Sequence, residues 1–374
     1  MKETHTLIIG ASFAGLASAG CLTKAGIDYL MIEKEEVIAY PWRNHYERLH
    51  LHSNKKLSNL PYKKFEASIP RYPSRKQVID YLEDYQKEFD IQPICGTEAL
   101  SVERKGDRWE VKTNQGLFVA ENVIIATGPF GKPRKVGFKG MESFPGPITH
   151  SFGYKSGRDF KDKKVLVVGF GNSACEIAID LHEQGASPGM SVRSAVNVLP
   201  RDVFGIPILQ LGVLVAPLPP RLADRINAPL FKLLLGDITK MGLKKLPYGP
   251  LEQIHEHQSI PLLDIGTLKL IREGHIRVFE GIDHIEGDLV HFVDGKKERF
   301  DAIVAAIGYD KGYVGDLIKV DESRFEDLNH SVDNQKYFGK DGLYFCGFWI
   351  SPTGQIREIT LDAQKIVSHI AGKD

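Results

Sequence analysis

Two glycine-rich turns in this chain have the residue types and spacing to hold a pyrophosphate. The first reads Gly10-x-Ser12-x-x-Gly15 and the second Gly169-x-Gly171-x-x-Ala174. Glycine lets the backbone turn tightly and lets phosphates approach. A helix that follows such a turn offers free N–H groups and the positive end of its dipole. Ser12 departs from the pattern, because a glycine is usual there. Its Cβ narrows the approach, while its hydroxyl can donate to a phosphate oxygen. Beyond the first turn stands Glu33, whose carboxylate suits both hydroxyls of an unphosphorylated ribose, as in FAD or NAD. The equivalent stretch after the second turn carries Arg193. Its guanidinium matches a 2′-phosphate, as in NADPH. Two unlike dinucleotides in one chain are what electron transfer from a nicotinamide to a flavin requires.

Other chemistry-bearing residues are sparser. The four cysteines, Cys21, Cys95, Cys175 and Cys346, occur singly, so neither a C-x-x-C redox pair nor a zinc knuckle is present. This counts against disulfide reduction and suits a reducing, cytoplasmic setting. His50 and His52 alternate as on a strand but lack a third ligand at suitable spacing, so no metal site is expected.

The elements that must position these residues follow from the apolar pattern. Residues 7–9 form a short strand ending at Gly10, followed by a helical pattern through Leu22 and a strand at 29–33. The second half repeats the order with a strand at 163–168, a helix at 172–184 and a strand at 189–194. In each half a small hairpin leads to a buried strand that ends in glycine, at 123–128 and 302–308. This repetition predicts an α/β fold of two Rossmann-like dinucleotide-binding domains, the NADPH domain inserted into the FAD domain. The expected division is 1–157, 158–309 and 310–374, the last part supplying a strand at 342–347 and a helix at 355–371. A chain of 374 residues is long enough for two separate cores.

The formal net charge is zero, which gives no electrostatic footprint for nucleic acid. The amino terminus enters a strand at once and leaves no room for a signal peptide. The most apolar stretch, 206–218, is broken by Pro207 and Pro217 and is too short to span a bilayer. It reads as a buried lining for an apolar substrate.

Between the two turns lies F-P-G-P-I-T-H-S-F-G-Y, residues 144–154. It resembles the F-x-G-x-x-x-H-S-x-x-Y signature of class B flavin monooxygenases at Phe144, Gly146, His150, Ser151 and Tyr154. R-L-H-L-H-S at 48–53, R-Y-P-S-R-K-Q-V-I-D-Y-L-E-D-Y at 71–85, V-R-S-A-V-N-V-L-P-R at 192–201 and P-L-L-D-I-G at 261–266 are similar to the YUCCA branch and its bacterial relatives. The resemblance covers nearly the whole chain, in order.

What the resemblance implies is a monooxygenase in which NADPH reduces FAD and the flavin forms a C4a-(hydro)peroxide with oxygen. One oxygen atom then enters a small hydrophobic or aromatic substrate, either a carbonyl compound such as an aryl 2-oxo acid or a soft sulfur or nitrogen centre. On this resemblance Gly10, Ser12, Gly15 and Glu33 hold FAD, with Trp42, Arg48 and His50 near the flavin. Thr127, Gly128, Gly347 and the 353–356 turn, including Gln355 and Ile356, close over it. Gly169, Gly171, Asn172, Ser173 and Arg193 hold NADPH, and His150 fixes the linker between domains, with a proton-transfer role behind that. Established members carry an asparagine beside the flavin's reactive carbon, a position that His52 or Asn54 meets here. The expected partners are the organic substrate and O2, with no nucleic acid, no stable membrane insertion and a homodimer allowed. The alternative is an NADPH oxidase or flavin reductase that releases hydrogen peroxide or reduces another acceptor.

Overall fold

The opening strand, β1 (Lys2–Ile9), passes from exposed to fully buried along its length, which is the pattern of a strand entering the middle of a parallel sheet. The computed structural model describes residues 1–128, 131–215, 218–257, 259–310, 313–319, 338–348 and 350–372. The chain divides into two compact units, one made of Met1–Asn44, Ser53–Lys132 and Asp310–Asp374, the other of His45–His52 and Pro133–Tyr309.

In the first unit β1 leads through a glycine turn to α1 (Phe13–Ala25), which stops at Gly26 in the left-handed region. Strand β2 (Tyr29–Ile32) returns parallel to β1, with Ile9 opposite Ile32. A short helix α2 (Tyr40–Arg43) and the longer α3 (Arg75–Glu88) follow. Ser74 and Gln77 form a reciprocal capping box that fixes where α3 begins. Three antiparallel neighbours, β3 (Ala99–Lys105), β4 (Arg108–Thr113) and β5 (Gly116–Ile125), then close the sheet, with β5 parallel to β1. The Leu343–Phe345 strand comes back from the far end of the chain to lie parallel to the last residues of β5. Leu7, Ile9, Ile32, Trp109, Val111 and Phe118 are among the side chains that fill the core on one side.

The second unit is built on a parallel sheet in the order Arg277–Phe279, β8 (Ser187–Ser191), β7 (Lys164–Val168), Ala302–Ala305 and β6 (Ile148–His150). Helix α4 (Asn172–Glu183) crosses between β7 and β8. A separate antiparallel sheet of Ile282–Glu286, Leu289–Phe292 and Lys297–Arg299 packs its inner face on the same core. There Phe279 stacks on Phe292 with ring centres 4.6 Å apart and meets Phe300 edge-on.

Two segments sit elsewhere than the expected division places them. Residues 133–157 belong to the second unit, because β6 pairs with Ala302–Ala305 as its edge strand. His45–His52 also belongs there, and it is an irregular stretch rather than a strand carrying alternating histidines. In the apolar stretch 206–218, Ile208–Val215 is helical and Ile208 is buried with Leu199, Val203 and Leu263. Residues 216 and 217 lie outside the described residues, and the flanking Ile206 and Leu218 are exposed.

Candidate dinucleotide sites

In the first unit the turn is shaped by clashes that only glycine avoids. A Cβ on Gly10, whose φ is +107°, would lie 2.8 Å from the Ala126 carbonyl oxygen, and one on Gly15 would lie 1.9 Å from that of Gly10. The helix therefore presses onto the turn, and the backbone N–H groups of its first turn have no side-chain cap. Ser12 is the N-cap, yet its side chain makes no capping hydrogen bond and no acid stands in the first turn. That is the arrangement a phosphate needs.

Glu33 lies one residue past β2. Its Oε2 accepts from Ala11 N at 2.6 Å and its Oε1 from Glu35 N at 3.1 Å. Each oxygen keeps a further lone pair for a ribose hydroxyl. Burial pushes its carboxyl above the usual range, against the pull of the two N–H donors. Trp42 packs edge-on against Phe13, 5.9 Å between ring centres. Thr127 and Gly128 follow one residue after the buried end of β5, and Gly128 is in the left-handed region.

The returning segment completes this unit. Gly347 has a φ of +79°, and a Cβ there would meet Ile359 at 2.7 Å. Gln355 Nε2 donates to Gly347 O at 2.6 Å, and Asp362 Oδ2 accepts from Gly347 N at 3.2 Å. Ile356 is buried beneath the first turn of the Gln355–Ile370 helix, whose N-cap, Gly354, offers no side-chain cap. A second uncapped helix N-terminus thus belongs to the same unit.

Asn54 is 2% exposed in the first unit. Its Oδ1 accepts from Lys56 N and Leu57 N at 3.0 and 3.2 Å, capping the Lys55–Leu57 turn. That orientation leaves Nδ2 buried with no hydrogen-bond partner. An orphaned donor of this kind is costly and calls for an acceptor from outside the chain.

His52, the other candidate for that position, is in the second unit and is already committed. Its Nε2 donates to Glu176 Oε1 at 2.6 Å. Arg48 reaches the other Glu176 oxygen at 3.3 Å and clasps Glu183 through Nε and Nη2 at 2.8 and 3.0 Å. His50 has no such role: it is exposed, with Nδ1 on the Arg48 carbonyl at 2.6 Å. Arg48 and His52 are therefore clamps on α4. Glu176, Asp180 and Glu183 form an acidic stripe on that helix, and sequence reasoning missed it. Its only signal was the spacing of four and three residues that puts three acids on one helical face.

The second turn repeats the first. A Cβ on Gly169 would lie 2.5 Å from the Ala306 carbonyl oxygen, whereas one on Gly171 would meet nothing within 4 Å. Gly171 thus opens onto free space at the N-cap of α4, whose first turn has no acid and no side-chain cap. Asn172 Oδ1 accepts from Leu263 N at 3.0 Å, and Ser173 is hydrogen-bonded to the buried Tyr46 hydroxyl. Arg193 lies two residues past the end of β8 rather than within it, and is exposed. Gly281 leaves room for its stem, since a Cβ there would lie 3.2 Å from Arg193 Cγ. No ion pair engages Arg193 among the described residues, so its guanidinium is available to an anion.

The intervening motif acts as a pin within the second unit. Phe144 is in its core, and a Cβ on Gly146 would lie 2.0 Å from the Asp301 carbonyl oxygen. His150 Nε2 donates to Gly308 O at 3.0 Å, and its Nδ1 accepts from Phe152 N at 3.1 Å. Both ring nitrogens are used by the neutral ring, and burial lowers its pKa. Ser151 is buried, and Tyr154 donates to Asp180 Oδ2 at 2.6 Å.

The cysteines are all free thiols. Three histidine and carboxylate side chains, His284, Glu286 and His291, converge on the small antiparallel sheet. The expectation of no metal site, drawn from the isolated cysteines and from His50 and His52, took no account of this cluster.

Comparison with known proteins decides the family. A family model described as pyridine nucleotide-disulphide oxidoreductase matches residues 7–200. The chain is 38% identical to indole-3-pyruvate monooxygenase YUCCA6 of Arabidopsis thaliana over 98% of its own length and 90% of that protein. The chain belongs to the flavin-dependent monooxygenase family. It is also 36% identical to indole-3-pyruvate monooxygenase YUCCA1 of Oryza sativa subsp. japonica, over 91% of this chain and 86% of that one. Among solved structures, a cyclohexanone monooxygenase shares the fold with a TM-score of 0.77 at 16% identity, covering all of this chain and 88% of the other.

As a member of this family it is an FAD-dependent enzyme that uses NADPH to insert oxygen. The two-domain Rossmann-type architecture holds. No helix among the described residues is long and apolar enough to cross a membrane.

Proposed function

We propose that this monooxygenase acts on an aryl-substituted 2-oxo acid and releases the shortened carboxylic acid and carbon dioxide. The balance is one 2-oxo acid, one O2 and one NADPH with a proton, giving the acid, CO2, water and NADP⁺. Similarity over almost the full length to indole-3-pyruvate monooxygenases carries this reading. When bound and reduced by NADPH, the flavin supplies the activation of oxygen.

The chain's own residues supply binding and orientation. The uncapped N-terminus of α1, with Ser12 and Glu33, takes the FAD pyrophosphate and ribose. That of α4, with Gly171, Asn172, Ser173 and Arg193, takes NADPH. Asn54 would offer its unpartnered Nδ2–H to a flavin bound in this unit, hydrogen-bonding and orienting its polar edge. The Gln355–Ile370 helix adds the positive end of its dipole. An open cleft of about 370 Å³ in the first unit is lined by Lys56, Lys64, Leu57, Leu60 and Arg357 among others. Lysine and arginine over an apolar floor suit an organic anion, so we assign the substrate carboxylate to this cleft. The isolated thiols of the chain fit a reducing, cytoplasmic setting.

The test is turnover of aryl pyruvates under ¹⁸O2. One labelled oxygen in the product acid, with one NADPH consumed per product, is the expected result. Stoichiometric hydrogen peroxide with no product would replace this reading with an oxidase. Substituting Lys56 and Arg357 together with alanine should raise KM for the 2-oxo acid about tenfold, the effect of one charge-assisted contact. An unchanged KM would move the carboxylate elsewhere.

A further inference from the structure

The hairpin formed by Ile282–Glu286 and Leu289–Phe292 turns Ile285 and Val290 into the core. The opposite face carries His284, Glu286 and His291. Regular pairing from Ile282 opposite Phe292 would set Asp283 against His291. The register shift after Ile282 instead sets His284 opposite His291, with Ile285 against Val290 and Glu286 against Leu289. A bulge often re-aims a side chain in this way. Here it stacks the two imidazoles, 4.1 Å between centres and 18° between planes. Glu286, two residues on from His284, shares their face.

Each ring keeps one nitrogen without a hydrogen-bond partner, and the stacked planes must turn apart for both in-plane lone pairs to reach one ion. Asp283 Oδ2 accepts from His284 Nδ1 at 2.8 Å, which fixes the tautomer and leaves Nε2 with its lone pair free. The His291 Nε2 atom is screened from solvent and has no hydrogen-bond partner. Its nearest carboxylate oxygen, on Glu286, is 3.6 Å away, too far for a hydrogen bond. One donor atom from each of His284, Glu286 and His291 lies within 4.8 Å of the others.

We propose that this face binds a divalent transition-metal ion of the zinc class through His284, Glu286 and His291, with Asp283 orienting His284. Two imidazoles and one carboxylate with an open fourth position suit Zn²⁺, Cu²⁺ or Ni²⁺ rather than Mg²⁺ or Ca²⁺. The ion ties one strand to the other across the bulge. It lies outside both dinucleotide sites, so it serves structure or metal sensing rather than oxygen transfer.

The test uses tag-free FAD-loaded enzyme, titrated with Zn²⁺ by calorimetry and with Cu²⁺ under EPR. One Zn²⁺ per chain is expected, lost in the double variant His284→Ala and His291→Ala, with the Cu²⁺ spectrum showing coupling to two imidazole nitrogens. Asp283→Asn should weaken Zn²⁺ binding about tenfold, as losing a ligand's orienting carboxylate does. NADPH-dependent turnover in the presence of a chelator should be the same in every variant. If the double variant fails to fold, Glu286→Gln at an exposed position tests the same ligand set, and a weakened Zn²⁺ titration is expected. Equal Zn²⁺ binding in wild type and variants, or a Cu²⁺ spectrum without two nitrogens, would overturn the proposal.

Discussion

Asn54 holds a donor that its own fold does not use. The capping role of its Oδ1 fixes the amide, and the buried Nδ2 is left for a bound group. Asn54→Ala should therefore keep NADPH-driven reduction of the flavin but lose coupled oxygen transfer about 100-fold, the usual effect of removing one preorganised donor. Product formed per NADPH, measured beside hydrogen peroxide, checks this; coupling equal to wild type would remove Asn54 from the site. Arg193 makes the matching prediction for the other cofactor. Arg193→Ala should cost about 2 kcal/mol in kcat/KM for NADPH, about 30-fold, and leave NADH almost unaffected. Steady-state kinetics with both nucleotides decide it. At this scale the sequence offers residue types matched to ligands, such as Glu33 and Arg193, and the kinetics above are what test them. It left His52 and Asn54 undecided, because the difference lies in a partner 124 residues away, Glu176, that no local pattern announces.

The helices show where periodicity informs and where it stops. Strand, turn and helix around Gly10 and Gly169 were legible, because each level of the pattern agrees: apolar run, glycine, small residues, then helical spacing. The acidic stripe of α4 was not. Its two buried carboxylates, Glu176 and Asp180, conflict with local rules and become sensible only beside Arg48, His52 and Tyr154. The Gln355–Ile370 helix holds a similar exception in Asp362, whose carboxyl burial raises to about 6. An unfolded aspartate titrates near about 4. The folded state thus favours the neutral form, so this contribution is fully present below about pH 4 and is lost as pH rises through about 6. Its size is on the order of 3 kcal/mol. Asp362→Asn should remove the loss, raising stability at pH 7 relative to wild type while the two agree near pH 4. Urea midpoints at both pH values measure it. His150 works in the other direction, since burial lowers its pKa and its contribution is lost as pH falls below about 6.5. The variant comparison separates the two.

At the scale of the whole molecule, duplication and insertion were readable from the repeated order of elements. The seams were not. They fall where long-range pairing decides: β6 joins Ala302–Ala305, and His45–His52 joins the second unit although both its neighbours belong to the first. A fragment of residues 133–309 lacks Arg48 and His52, and leaves Glu176, 1% exposed in the intact chain, without those two hydrogen-bond donors. Breaking a buried pair in this way costs about 3 kcal/mol. The fragment should unfold at a lower urea concentration than the same fragment with residues 45–52 joined to its amino terminus by a flexible linker. Equal midpoints would show that the clamp contributes nothing to stability.

The same excursion of His45–His52 sets an order of events during synthesis. Arg48 and His52 leave the ribosome well before Glu176 and Glu183 exist, so no amino-terminal intermediate can satisfy them. Closing a loop of this length is slow compared with local helix formation. The contacts of Arg48 and His52 with α4 can form only once residues 172–183 have been made, so this part of the second unit is completed late in synthesis.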